Sequence, residues 1–257
     1  MSFLMREIAG RIDHTLLAPE ATAAEVDRTW REAISAEFAA VCVHGRWVER
    51  VRAGLEGTRV KTCAVADFPH GAAGRAGRAH QVASVVRSGA EEVDIVAPLA
   101  EVLSGNEAWL RADLKGVVEV ARSVRDVTVI KVILETALVM RSLPAQEAEA
   151  RLAAACAAAR DAGVDYVKTS TGFHAAGGAS SEAVRLLRKH AGPTMKVKAS
   201  GGIRTLADIR AMLEAGAERI GCSRGMDMMQ EVARAEREGR RGLESSEGEE
   251  LQERTEP

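Results

Sequence analysis

Short apolar runs alternate with longer amphipathic stretches along the chain. Three junctions share one pattern, in which a helical stretch ends on small residues with a glycine and an apolar run follows. They are "RSGAEEVDIVAP" (87–98), "DAGVDYVKTS" (161–170) and "EAGAERIGCS" (214–223). Glycine readily adopts the left-handed conformation that ends many helices, and a short apolar run is typical of a buried strand. The pattern therefore predicts repeated passages from helix to strand.

Five other apolar runs also have the length of buried strands. They are "GRIDHTLL" (10–17), "FAAVCVH" (38–44), "VKTCAVADF" (60–68), "VTVIKVIL" (127–134) and "MKVKAS" (195–200). The stretches between them, such as 145–162 and 205–215, are rich in residues that favour helices. The segment "TLAD" (205–208) matches a capping box that opens the seventh helix, with Asp in place of the usual Glu.

About eight strands therefore alternate with helices, which predicts an α/β fold and, at this length, a single (β/α)8 TIM barrel. A doubly wound open sheet is the alternative. We assign residues 1–235 to the barrel domain. Residues 236–257, "EREGRRGLESSEGEELQERTEP", lack large apolar residues at regular spacing and are expected to form a charged, disordered tail.

Composition narrows the class of protein. The 257 residues are 46% hydrophobic with a formal net charge of -2, so neither nucleic acid nor a membrane is an expected partner. No long apolar span and no cleavable leader pattern is present, which predicts a cytoplasmic protein. The widely spaced Cys42, Cys63, Cys156 and Cys222 predict reduced thiols. The six histidines show no metal-ligand spacing, so no metal site is expected.

Two lysines stand where catalytic groups gather in such a barrel. Lys168 and Lys198 lie at the carboxyl ends of the sixth and seventh predicted strands, each shortly before a glycine-bearing loop. Like charge and partial desolvation lower the pKa of one of two neighbouring lysines from about 10.4 toward neutrality. A neutral lysine attacks a carbonyl and forms a Schiff base. The alternative is that both extend to solvent, and Lys196, one layer deeper, is interpreted as structural.

Further charged residues share the inward positions of these strands. Asp94 lies inside the fourth strand, where the lysines are natural partners and a carboxylate could relay protons through water. Asp13 and Lys131 are inward-capable charges on the first and fifth strands. For each of these two alone, a structural ion pair is as plausible as a catalytic role.

Glycine-bearing loops follow the last three predicted strands. They are "STGFHAAGGAS" (170–180), "ASGGIRT" (199–205) and "GCSRG" (221–225). Barrels commonly bind phosphate in the loops after strands seven and eight, where backbone N–H groups approach the anion. Arg224 could add charge to such a site, or it could begin the eighth helix and point to solvent.

Seven segments together resemble the deoxyribose-phosphate aldolases, a family of class I aldolases with a TIM-barrel fold. They are "IDHTLL" (12–17), "AAVCVH" (39–44), "EEVDIV" (91–96), "KVILET" (131–136), "VKTSTGF" (167–173), "VKASGGIRT" (197–205) and "RIGCS" (219–223). The resemblance extends from about residue 8 to 235 in the family's order, which agrees with one barrel domain.

The resemblance implies an activity and a set of site residues. The activity is reversible cleavage of 2-deoxy-D-ribose 5-phosphate to acetaldehyde and D-glyceraldehyde 3-phosphate in deoxyribonucleotide catabolism, without metal or organic cofactor, by a homodimer. The matching catalytic positions are Lys168 for the Schiff base, Lys198 for the second lysine and Asp94 for the proton relay. The matching substrate-pocket positions are Asp13, Thr15, Cys42, Lys131 and Thr171. The matching phosphate-site positions are Gly172, Phe173, Gly201, Gly202, Gly221, Ser223 and Arg224.

Departures from the family pattern leave the catalytic positions intact. Ala18 replaces a frequent lysine, and Cys222 and Arg224 replace a threonine and a small residue. The chain ends without the terminal tyrosine of some members. Two other functions remain open at this point. One is a phosphate-binding barrel isomerase that uses carboxylates, and the other is a phosphosugar-binding barrel without activity.

Overall fold

A computed structural model describes residues 3–237 and contains a closed barrel of eight parallel strands. The strands are β1 (Ile12–Leu16), β2 (Ala40–His44), β3 (Lys61–Ala66), β4 (Glu92–Val96), β5 (Val129–Ile133), β6 (Tyr166–Lys168), β7 (Lys196–Ser200) and β8 (Arg219–Cys222). They follow one another around the barrel in chain order, and β8 pairs with β1. The predicted TIM barrel is therefore confirmed, and the doubly wound open sheet is excluded.

Helices surround the barrel. They are α1 (Phe3–Ala9), α2 (Ala23–Ala36), α3 (Val48–Gly54), α4 (Arg75–Arg87), α5 (Leu99–Ser104), α6 (Glu107–Val124), α7 (Thr136–Ser142), α8 (Ala145–Asp161), α9 (Ser181–Ala191) and α10 (Leu206–Glu214). A 3-10 turn occupies Gly45–Trp47, and a last helix, α11, begins at residue 225 and reaches residue 237, where the described part of the chain ends. The predicted tail therefore lies outside the described residues, except for 236 and 237.

Local sequence explains how several helices begin and how the chain turns into the next strand. Thr205 caps α10, and its hydroxyl and the carboxylate of Asp208 form the predicted capping box. A second capping box, between Thr22 and Glu25, opens α2. The glycines of the repeated junctions, Gly89, Gly163 and Gly216, all have the positive φ that the pattern predicts.

The two faces of the barrel wall carry different chemistry. Outward-facing strand residues are apolar and pack with the helices; they include Val41, Val93, Ile95, Ile130, Val132, Val167, Val197 and Ile220. Alanines of α8, including Ala155, Ala158 and Ala159, are buried in the same apolar core. The inward-facing positions instead carry most of the buried charged residues. Because the pleat has a period of two, one strand supplies both the apolar outer wall and the charged interior.

Two further findings concern cysteines and membranes. All four cysteines are free, in agreement with the predicted reduced thiols, and all four are buried. None of the described helices is both long and apolar enough to cross a membrane.

Candidate active site

The two predicted lysines lie side by side at the carboxyl end of the barrel. Lys168 is the last residue of β6, and it is the register partner of Lys198 on β7. Lys168 lines a cavity of about 490 Å³, whereas Lys198 lies beneath it and has no exposed surface. Of these two lysines, only Lys168 is therefore available to a molecule in the cavity.

Asp94 bridges the two lysines. Its Oδ2 accepts hydrogen bonds from Lys168 Nζ at 2.6 Å and from Lys198 Nζ at 2.7 Å. Its Oδ1 accepts one from Lys131 Nζ at 2.8 Å. The ammonium groups therefore do not face each other directly, because one carboxylate lies between them. A group that contacts all three lysines is also well placed to pass a proton among them.

The chain of ion pairs continues to the opposite end of the barrel. Lys198 also pairs with Asp13, whose Oδ1 lies 2.5 Å from Arg219 Nη1. Lys131 lies 2.6 Å from Glu92 Oε2, and Glu92 Oε1 lies 3.1 Å from Arg219 Nη2. Following these pairs inwards from the cavity gives the order Lys168, Asp94, Lys131 with Lys198, Asp13 with Glu92, and Arg219. We call these seven side chains the charged column.

Sequence reasoning missed Glu92 and Arg219, although a signal for both was present. Glu92 precedes Asp94 by two residues, and Arg219 precedes Gly221 by two residues. In a strand, residues two apart point to the same face, so both had to be inward-facing.

The members of the charged column stabilise one another's charged forms. Burial opposes every charge, yet Arg219 and Lys198 hold the pKa of Asp13 below its ordinary value. In the same way, Lys131 and its two neighbouring lysines hold the pKa of Asp94 well below the usual range. Against burial, these carboxylates raise the pKa of Lys131 and that of Lys198. The middle of the column therefore stays ionised at neutral pH.

Two cysteines pack against the column. Cys63 Sγ donates to Asp94 Oδ1 at 3.2 Å and accepts from Lys131 Nζ at 3.4 Å. Burial, together with contact with the Cys42 thiol, raises the pKa of Cys63 well above its ordinary value. Cys42 is the register partner of Cys63 on β2 and is fully buried. Cys63 was not among the predicted residues, and its thiol is a neutral hydrogen-bond donor to Asp94.

The predicted substrate-pocket residues divide into two groups. Thr15 and Thr171 line the cavity with Lys168. Asp13, Cys42 and Lys131 do not line it, because they lie in the barrel interior with no exposed surface. These three residues lie deeper in the barrel than the residues that line the cavity.

The predicted phosphate-site residues all line the cavity: Gly172, Phe173, Gly201, Gly202, Gly221, Ser223 and Arg224. The β6 and β7 loops approach so closely that a side chain at Gly178 would collide with the carbonyl of Gly201. A hydrogen bond from Ala179 N to Gly201 O, at 2.9 Å, joins the two loops. Glycine is required where two backbones approach this closely.

Arginines flank these loops. Arg224 lies at the start of α11, and its Nε donates to Asp227 Oδ2 at 2.7 Å, while about half of the side chain is exposed. The structure thus combines the two interpretations of Arg224, since the residue lines the cavity but its guanidinium is already paired. Arg204, which sequence reasoning did not select, lines the same cavity.

Glu135 is a further residue that sequence reasoning missed. It is fully buried two residues after β5, directly before α7, and has a positive φ of 48°. Its Oε2 accepts from Thr171 Oγ1 at 2.6 Å and from Thr171 N at 3.1 Å. Thr171 Oγ1 in turn accepts from Phe173 N at 3.1 Å. Glu135 therefore fixes the start of the β6 loop.

Two groups of potential metal ligands occur among the described residues, and both involve the column. They are Cys42 with Cys63 and Asp94, and Asp13 with Cys63 and Glu92. Asp94 and Asp13 already accept ammonium or guanidinium groups. These cations would repel a metal ion, so the donor set does not fit a metal site.

Comparisons with known proteins agree on one family. The sequence profile of the DeoC/LacD family aldolases matches residues 8–231. A protein of Clostridium botulinum (strain ATCC 19397 / Type A) named deoxyribose-phosphate aldolase is 39% identical over 218 residues, which cover 85% of this chain and 97% of that protein. One of the same name from Streptococcus mutans is 42% identical over 219 residues, with coverage of 85% and 94%.

A solved structure shares the fold at similar coverage. The structure of a deoxyribose phosphate aldolase from Aeropyrum pernix, described as a unique tetrameric structure, superposes with a TM-score of 0.80 at 32% identity and covers 89% of this chain and 92% of that one. The fold, the family match and the relatives point the same way. This protein is therefore an enzyme that belongs to the DeoC/LacD family of aldolases.

Proposed function

We propose that the protein reversibly cleaves 2-deoxy-D-ribose 5-phosphate to acetaldehyde and D-glyceraldehyde 3-phosphate through a Schiff base on Lys168. The observation that carries this proposal is the position of Lys168, which lines the cavity and lies 2.6 Å from Asp94. A nucleophilic amine beside a group that can move protons is the minimum that imine chemistry requires. The names of the relatives support the choice of substrate.

Lys168 is the best placed of the three buried lysines. Lys131 and Lys198 have no exposed surface, and each is within ion-pairing distance of at least two carboxylates. Lys168 contacts one carboxylate, that of Asp94. The charged column contains four cations, Lys131, Lys168, Lys198 and Arg219, and three carboxylates, Asp13, Glu92 and Asp94. One amine can therefore lose its proton without leaving a carboxylate unpaired, and Lys168 is the one that a substrate can reach.

The proposed reaction begins with attack of the neutral Lys168 amine on the C1 aldehyde of the open-chain sugar. A C–N bond forms, water leaves, and the product is a protonated imine. Removal of the proton from the C3 hydroxyl lets that oxygen form a carbonyl while the C2–C3 bond breaks. The electron pair of that bond passes to the imine and gives an enamine. Glyceraldehyde 3-phosphate leaves, C2 takes a proton, and hydrolysis releases acetaldehyde and the free amine.

Asp94 and Lys198 move and balance protons in this scheme. Asp94 relays protons through water between the reacting atoms and the lysines, since its Oδ2 touches both Lys168 and Lys198. Lys198 stays charged, because its carboxylate partners raise its pKa despite burial. It thereby favours the neutral form of a neighbouring amine.

The loops after β6, β7 and β8 form the proposed phosphate site. Their backbone N–H groups and the Ser223 hydroxyl can donate to phosphate oxygens, and Arg204 and Arg224 contribute positive charge at the rim. The remaining proposed members are Gly172, Phe173, Gly201, Gly202 and Gly221. Thr15 and Thr171, which line the same cavity, are the proposed contacts to the sugar.

The carboxylates do not favour an isomerase. Asp13, Glu92 and Asp94 do not line the cavity, and all three are paired with cations. The carboxylate among the lining residues, Glu20, is exposed to solvent. General acid–base chemistry on a sugar needs a carboxyl group within hydrogen-bond reach of the substrate.

The proposal extends to assembly, location and cofactors. We propose a cytoplasmic homodimer that acts in deoxyribonucleotide catabolism and needs no metal or organic cofactor. The free cysteines support a reducing compartment. The Aeropyrum pernix relative is described as a tetramer. Light scattering coupled to gel filtration distinguishes the two assemblies, and activity that survives dialysis against EDTA supports the absence of a metal.

A product assay with matched variants tests the proposed function. The enzyme is incubated with 2-deoxy-D-ribose 5-phosphate, and both aldehydes are followed by NMR. We expect equal amounts of the two products from the parent and from Lys196→Ala, and none from Lys168→Ala with unchanged circular dichroism. Lys196 is an exposed lysine on β7 outside the column and serves as the control. Product formation by the folded Lys168→Ala variant would reject the Schiff-base assignment.

A further inference from the structure

The charged column joins the cavity to the far end of the barrel, and its last member is partly exposed there. Arg219 opens β8 and retains 13% of its side-chain exposure, while the carboxylates it holds, Asp13 and Glu92, are almost fully buried. Between Arg219 and Lys168, each cation contacts a carboxylate and each carboxylate contacts cations on both sides. A change of charge at one end of the column therefore alters the electrostatic potential at the other end, because little water lies between them to screen it.

The contacts of Arg219 are specific. Nη1 donates to Asp13 Oδ1 at 2.5 Å and to Glu92 Oε2 at 3.3 Å, and Nη2 donates to Glu92 Oε1 at 3.1 Å. The other oxygen of Asp13 pairs with Lys198. Arg219 is thus two ion pairs away from Lys198 and four from Lys168.

The charge balance of the column depends on this residue. With every group ionised, four cations face three carboxylates, which leaves a surplus of one positive charge. Loss of a proton from Lys168 removes the surplus. Without the charge of Arg219 the fully ionised column would already be neutral, and the same proton loss would leave it negative.

We propose that Arg219 is a positioning residue whose charge sets the pH range in which Lys168 reacts. The inference rests on the proposed function, because it assumes that a neutral Lys168 amine is the nucleophile. Arg219 touches neither the cavity nor a substrate in it, so it acts through Asp13, Glu92 and the lysines.

All strands contribute charged or titratable groups to the interior around Lys168 and Lys198. They are Asp13 on β1, Cys42 on β2, Cys63 on β3, Glu92 and Asp94 on β4, Lys131 on β5, Tyr166 on β6 and Arg219 on β8. Burial raises the pKa of the Cys63 thiol, which adds no charge at neutral pH. Contact with the Cys63 thiol lowers the pKa of Cys42 against its burial. The count of four cations against three carboxylates takes both thiols as neutral.

A simpler interpretation gives Arg219 a structural role only. In that case it neutralises two buried carboxylates so that the barrel folds, and its loss lowers stability without changing the pH dependence of the reaction. The two interpretations differ in the acidic limb of the pH profile of kcat/KM, which reports the ionisation of the free enzyme.

Three variants separate the interpretations. In Arg219→Gln the acidic limb should move to higher pH, because the amine keeps its proton longer once the surplus charge is gone. In Glu92→Gln the acidic limb should move to lower pH, because the surplus of positive charges in the column rises from one to two. Arg219→Lys should restore the parent profile. Charges separated by about 10 Å at an effective dielectric constant of about 20 shift a titration by on the order of one pH unit.

The control is Lys196→Gln. Lys196 lies at the same end of the barrel, with its Nζ 5.7 Å from the Tyr166 ring centre, but it is exposed and outside the column. Solvent screens an exposed charge, so its removal should leave the limb where it is. Circular dichroism and thermal melting of each variant show which ones fold.

Opposite shifts in Arg219→Gln and Glu92→Gln support the proposal, since a loss of stability cannot move the limb in two directions. If Arg219→Gln fails to fold, the direction of the shift in Glu92→Gln decides. If the folded variants have the same acidic limb as the parent, the proposal is wrong. Cleavage of the substrate by the parent would in that case still support the proposed function. A parent enzyme that cleaves no substrate would remove both.

Discussion

At the scale of single residues, Asp94 connects the lysines that the sequence singles out. It accepts hydrogen bonds from Lys131, Lys168 and Lys198, and also from the Cys63 thiol. Inward parity on neighbouring strands is enough to place Lys168 beside Lys198. The bridging position of Asp94 could not be predicted in the same way, because it depends on strand stagger across the barrel, which no local pattern encodes.

Asp94→Asn should leave imine formation possible and slow the later proton transfers. We expect kcat to fall by roughly 10²–10⁴-fold, the range typical of a lost general acid or base. Rapid-quench trapping measures imine formation, and steady-state assays measure kcat. Cys63→Ser is the matched control, because it changes a donor to the same carboxylate and should cost much less. An Asp94→Asn enzyme that folds but no longer forms the imine would show that the carboxylate acts earlier.

Arg224→Ala should have a small effect. The guanidinium is paired with Asp227, about half of the side chain is exposed, and such surface pairs contribute little. We expect KM for the phosphorylated sugar to rise by no more than about threefold. Steady-state kinetics with and without the substrate phosphate measure this. A rise of tenfold or more confined to the phosphorylated sugar would mean that Arg224 leaves Asp227 and binds the phosphate directly.

At the scale of elements, the strands were easier to predict than the short helices. Each strand combines an apolar outer face with a turn signal, as in Gly163 before β6 and Gly216 before β8. The short helices α1, α5 and α7 were not predicted, because helices of six or seven residues depend on tertiary packing rather than on intrinsic propensity. The hydrogen bonds from Thr171 to Glu135, which brace the β6 loop, were also not predicted, because they join two strand ends far apart in the sequence.

Thr171→Val should loosen that loop. The substitution removes the hydroxyl that donates to Glu135 and accepts from Phe173 N. Because the same loop packs on Gly201, we expect KM for the phosphorylated sugar to rise about tenfold, equivalent to about 1.4 kcal/mol, with a smaller change in kcat. Thr171→Ser keeps the hydroxyl and should restore the parent KM. Equal KM values for the valine variant and the parent would show that the brace does not support the phosphate site.

At the scale of the whole molecule, the barrel closes around a column of ionised groups, with a small apolar cluster that includes Ala40, Cys63 and Val65 beside it. The sequence predicts the closed barrel and its charged mouth. Glu92 and Arg219 extend the charged groups to the opposite end of the barrel. Because Arg219 lies on β8 and Asp13 on β1, the pairing of these two strands also brings together the ion pairs of Arg219. Breaking a buried pair by removal of one partner typically costs about 3–5 kcal/mol.

The column should make stability depend on pH at both extremes. Asp13 and Asp94 have lowered pKa values, so their contribution is complete above the unfolded pKa of about 3.9 and is lost as pH falls toward the folded values. Lys131 and Lys198 have raised pKa values, so theirs is complete below the unfolded pKa of about 10.4 and is lost as pH rises toward the folded values.

We therefore expect a plateau of the free energy of unfolding between about pH 5 and pH 9, with a fall on either side. Urea titrations across this range measure it. Asp13→Asn should have a shallower acidic fall than the parent, because one of the depressed carboxyls is absent. An acidic fall of equal steepness in the two proteins would contradict the assignment of Asp13.

The identity of the nucleophile is tested most directly by chemical trapping. Acetaldehyde and borohydride should convert the imine to an ethylamine, and trypsin should then fail to cleave after the modified lysine. We expect an ethylated peptide spanning 161–185, uncut at Lys168, with acetaldehyde and also with 2-deoxy-D-ribose 5-phosphate, whose cleavage leaves the same two-carbon imine; urea-unfolded protein gives the unselective baseline. An ethyl group on the peptide 197–204, uncut at Lys198, or no preferred adduct in an enzyme that cleaves the sugar, would contradict the account.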